Sequence, residues 1–74
     1  MDAQEQIDLD AMKARVQTIQ LETFMVMRKF LRMDATTLKH CGHHSVSAAL
    51  EHLMRGAVKR CEKETKAFIA KYPD

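Results

Sequence analysis

Seventy-four residues, 46% apolar and 30% charged with a net charge of +2, make one domain at most and are too apolar for a disordered chain. A single core of this size rarely supplies more than about 3–5 kcal/mol, so the chain needs close helix packing, a metal, disulfides or a second copy of itself. Two glycines, one proline and no tryptophan bias the whole towards helix and leave too few breakers for a protein of repeated hairpins.

The first ten residues, MDAQEQIDLD, are acidic and lack an apolar stretch, so no secretory leader is expected there. From Ala3 to about Met33 there is neither glycine nor proline. Leu9, Met12, Val16, Ile19, Val26, Phe30 and Met33 recur in steps of three and four, with Thr23 filling the one gap. That seam runs over more than three heptads and predicts one helix over about residues 3–33. VQTIQLETF also admits a partial strand alternation, but the sustained seam favours helix. Phe24 and Leu31 fall to one side of the seam, which one partner helix cannot cover.

Residues 34–44 read as a turn. Asp34, Thr36 and Thr37 can cap or turn the backbone, Gly42 can take positive φ, and a short helical turn around Thr36–His40 fits the composition. The second helix is expected over about residues 45–71, before Pro73. Ser45 is the N-cap candidate, and Leu50, Leu53, Met54, Ala57, Val58, Cys61, Thr65, Phe68, Ile69 and Tyr72 fall on one side. Gly56 sits inside this helix at a cost of about 1 kcal/mol relative to alanine. The fold class is therefore all-α: an antiparallel two-helix hairpin, expected to dimerise into a four-helix bundle. Leu9, Val16, Ile19, Val26, Phe30, Leu50, Leu53, Ala57, Cys61 and Phe68 are the expected core of folding and self-association. The methionines fill an irregular core or line an adaptable groove.

The stretch HCGHHS, residues 40–45, has the composition of a metal site. His40, Cys41, His43 and His44 are weak candidates, because neighbours in sequence diverge and zinc needs four converging ligands. His40 and His44 would meet only if the turn were helical. Cys61 lies roughly 24 Å along the second helix from its start, too far to complete the set or to form a disulfide with Cys41. His52 projects on the side opposite Cys61. A polar turn is the reading, with no cofactor. Two cysteines without a leader point to free thiols and a cytoplasmic setting. No apolar run approaches a membrane span.

Metalloprotease, nucleophile-elbow and phosphate-loop motifs are all missing, and no enzyme or small-molecule substrate is expected. Charge is uneven: residues 1–22 carry −3 and residues 23–74 carry +5. Arg28, Lys29 and Arg32 cluster late in the first helix, and Arg55, Lys59, Lys63 and Lys66 form one flank of the second. They are candidate nucleic-acid contacts. Alternatively they form a solvated face, with Glu51, Glu62 and Glu64 pairing within the helix to Arg55, Lys66 and Arg60. GHHSVSAALEHLMRGAVKR, residues 42–60, resembles the second helix of ribbon-helix-helix repressors: a glycine turn, a serine opening the helix, then Leu50, Leu53, Met54, Ala57 and Val58 at dimer-core positions. The resemblance implies a DNA-reading strand over about Glu22–Met27 and a first helix over Arg28–His40. The leading expectation is a homodimeric adaptor, chaperone or regulatory module that binds another protein. The rival is a small DNA-binding regulator.

Overall fold

Local chemistry sets where each helix begins and ends. The Asp2 carboxylate accepts the Glu5 amide at 2.7 Å and opens α1, Ala3–Arg32. Lys29 and Arg32 lie in its last turn, where cations suit the negative end of the helix dipole. Met33 and Asp34 are extended; the Asp34 carboxylate then accepts the Thr37 amide at 2.8 Å and opens α2, Ala35–His40. Ser45 accepts the Ala48 amide at 3.1 Å and opens α3, Val46–Lys71. The computed structural model describes residues 2–73, and among them there is no strand.

Gly42 makes the reversal between α2 and α3. At φ +85° its amide donates to Lys39 O at 2.9 Å while the His43 amide donates to Leu38 O at 2.9 Å. These two crossed backbone bonds are those of a glycine-closed helix C-terminus. They answer the riddle of the histidine-rich stretch in part: Gly42 is there for its backbone. The break also keeps His40 and His44 off a common helix, so that pair is not aligned along one face.

α1 and α3 pack along their lengths as an antiparallel hairpin, and α2 folds onto α3 at the closed end. The molecule measures 53 × 17 × 14 Å. Ile19, Leu38 and Ala49 are the buried apolar residues among those described, and no large side chain is fully buried. The seam residues Leu9, Val16, Val26, Phe30, Leu50, Leu53, Ala57, Cys61 and Phe68 are half-buried. Thr23, the gap in the seam, is buried, its hydroxyl donating to Ile19 O at 2.6 Å. Leu38 and Ala49 were outside the expected core; they lie on α2 and α3, which pack against each other at the closed end.

Three cross-helix ion pairs run down one flank. Lys71 Nζ donates to Asp8 at 2.7 Å, Arg15 Nε to Glu64 at 2.6 Å, and Arg60 to Glu22 at 3.2 Å. Tyr72 adds its hydroxyl to Asp8. Asp8, Arg15 and Glu22 are seven apart, so they line one edge of α1 with alternating sign. Sliding α3 by one heptad would set Asp8 against Glu64, two like charges. Each exposed rung contributes about 0.2–1 kcal/mol at most; the alternation specifies register. The expected pairing within the second helix is corrected accordingly: Arg55 does pair with Glu51, but Glu64 and Arg60 reach across to α1.

The strand implied by the repressor resemblance is not formed. Residues 22–27 lie inside α1, and the chain breaks at Met33–Asp34, not before Arg28. The heptad seam explains this, since a strand there would turn half of it to solvent.

Two tests follow from this scaffold. A Cβ added at Gly56 meets nothing within 4 Å, so Gly56→Ala should raise stability by about 1 kcal/mol in urea denaturation. Gly42→Ala should lower it by about 1–2 kcal/mol because φ is left-handed. The second test concerns Asp8, whose carboxyl is held down to about 2 by the hydrogen bonds from Lys71 and Tyr72. Its folded value lies below its unfolded one. The clamp therefore contributes fully above about pH 4 and fades as pH falls through about 2. The Tyr72 ring resonances should report opening over that window, and Asp8→Asn should abolish the transition.

Candidate functional site

The two flanks of the hairpin differ in kind. One carries the ionic ladder; the other is an open groove of about 700 Å³ between α1 and α3. Met27, Ala57, Cys61 and Thr23 lie along it, with Phe24, Met54, Val58 and Ile69 standing up at its sides. Phe24, Val58 and Ile69 are 57%, 52% and 56% exposed, far too much for side chains that belong to a closed core. Gln20, Glu62 and Lys66 supply the polar edge. An apolar centre with a polar rim is the anatomy of a protein interface. Two flexible methionines let such a surface adapt its shape.

Of the ten residues expected to drive folding and self-association, only Ala57 and Cys61 reach this groove. Of the other eight, Ile19 is buried and the rest are half-buried outside it. Phe24, Met54, Val58 and Ile69 carry the exposed face. Phe24 was legible as lying off the seam. Met54, Val58 and Ile69 were read onto the apolar side of the second helix and left out of the expected core; a helical wheel fixes an angle but not how wide the neighbouring helix is.

The expected metal candidates separate. His40, Cys41 and His44 are exposed, Cys41 and Cys61 are free thiols, and His43 is half-buried. Its ring lies edge-on to Phe30 with centroids 5.2 Å apart. On its other side is His52, at 5.9 Å between centroids and 50° between planes. His52, read from the sequence only as projecting opposite Cys61, thus meets the histidine turn. The turn folds His43 back along α3, an arrangement that helix angles alone do not reveal. No group of three or more histidines, cysteines or acids with metal-binding placement occurs among the described residues.

The basic residues form two patches on different faces. Arg28, Lys29 and Arg32 surround a shallow dip with Met25 on the outside of α1. Arg55, Lys59, Lys63 and Lys66 share one angular sector of α3, from which Lys63 borders α1 on the ladder side and Lys66 on the groove side. Among the described residues, Arg55 is the only one of these seven in an ion pair. No described helix is long and apolar enough to cross a membrane. Compared with known proteins, the chain matches no family model, no curated protein and no solved structure at a significant level.

Proposed function

We propose that this chain performs no chemistry and works by association, as a cytoplasmic homodimer whose four-helix body binds another protein in an adaptor, chaperone or regulatory role. The observation that carries the reading is the apolar groove flanked by Phe24, Met54, Val58 and Ile69. Its occupant is a second copy of the chain, apposing the same groove. The half-buried seam supports a dimer, since a hairpin this thin gains little stability alone. Joining two such grooves completes a four-helix core.

The residues that test this are those outside the hairpin's own seam. Val26 and Leu53 are half-buried within it, so a polar side chain there would unfold the monomer and leave association undecided. Val58 is exposed. Val58→Lys should leave the helical circular dichroism intact and shift the sedimentation mass from two chains to one. A wild-type mass of one chain at micromolar concentration would overturn the dimer.

Unpaired cations favour a second reading, a DNA-binding regulator that uses one basic patch. The measurement is fluorescence anisotropy on a random duplex at about 50 and 200 mM salt, where phosphate contacts lose affinity steeply through counterion release. Protein binding predicts no saturable signal at the lower salt. Tight binding that collapses at the higher salt, and is lost with Lys59→Ala and Lys63→Ala together, would instead establish the regulator.

A further inference from the structure

The His43–His52 pair serves none of the roles above. It lies at the closed end of the hairpin, away from both the ladder and the groove. The His43 backbone is anchored by the hydrogen bond its amide donates to Leu38 O, one residue after the left-handed Gly42. Its ring is braced on one side by the edge-on contact with Phe30. His52 is presented from the regular backbone of α3, two turns in from the Ser45 cap. Both imidazoles are thus placed by fixed elements, one by a turn and one by a helix, and approach each other from sequence positions nine apart.

Imidazole nitrogen is a preferred donor for borderline dications such as Zn²⁺ and Cu²⁺. Two imidazoles that share a metal at about 2.0–2.1 Å from each nitrogen hold their ring centres roughly 5–6 Å apart. The observed separation is 5.9 Å with the rings tilted by 50°, within the range that two imidazoles on one ion take. No side-chain hydrogen bond among the described residues engages either ring. We propose that His43 and His52 form a two-histidine site for a transition-metal dication, with water filling the remaining positions. No third donor from the described residues joins them, and the site is therefore an exchangeable one. Bridging the turn to α3, the metal ties the closed end of the hairpin together.

The test is a titration of the whole chain with Zn²⁺, followed by calorimetry and by the ring nitrogen resonances of the four histidines. One equivalent per chain is expected, with His43 and His52 shifting together. His52 is exposed, so His52→Gln should fold normally and weaken binding at least tenfold, whereas a variant carrying both His40→Gln and His44→Gln should bind like wild type. Wild-type affinity in His52→Gln, loss of binding in the double variant, or no binding by the wild-type chain would each overturn the site.

Discussion

Two helices lying side by side can hide only one stripe of each other. The open apolar flank of this protein follows from that limit. α1 has a seam of apolar residues in steps of three and four, and α3 covers it; but Phe24 and Leu31 lie off that seam, and both remain open to solvent. α2 is too short, at six residues, to reach them. It buries its own Leu38 where it packs against α3 at the closed end. The hairpin is consequently a half-core, with one groove left over.

Polar groups decide how the halves meet. The three caps, Asp2, Asp34 and Ser45, and the left-handed Gly42 place the breaks, so the chain can reverse only after His40. The alternating charges of Asp8, Arg15 and Glu22 against Lys71, Glu64 and Arg60 then penalise any heptad slip. None of these exposed pairs adds much free energy. Their value lies in selection: an apolar seam tolerates sliding by a heptad, and opposed charges do not. Because the ladder occupies one flank only, the other is free to be apolar without confusing the register.

That one-sidedness bears on function. Phe24, Met54, Val58 and Ile69, four of the eight exposed large apolar residues among those described, sit together, rimmed by Gln20, Glu62 and Lys66, where scattered singly they would call for no explanation. The cations, in contrast, divide between two helices and do not build a single strip. A groove that needs covering and patches that need none support association ahead of phosphate recognition. The paired histidines at the closed end are a separate feature, placed by the turn and braced by Phe30.

How much of this was legible in the chain depends on the range over which each signal acts. Helix extents followed from periodicity, and the Ser45 and Asp34 caps and the Gly42 turn from residues within four positions of one another; these interactions close inside a few residues and need no tertiary context. The loose repressor resemblance failed at Glu22–Met27 because it ignored the longer seam running through that segment. Partners far apart were invisible. Glu64 and Arg60 had plausible neighbours one turn away, yet they pair with Arg15 and Glu22 across the hairpin, and His52 meets His43 although its helix angle opposes Cys61. A sequence states which side chains share a face of one helix. Which face meets which, in what register, and how much is left uncovered is decided only when two helices of finite width pack, because that depends on the side chains of both.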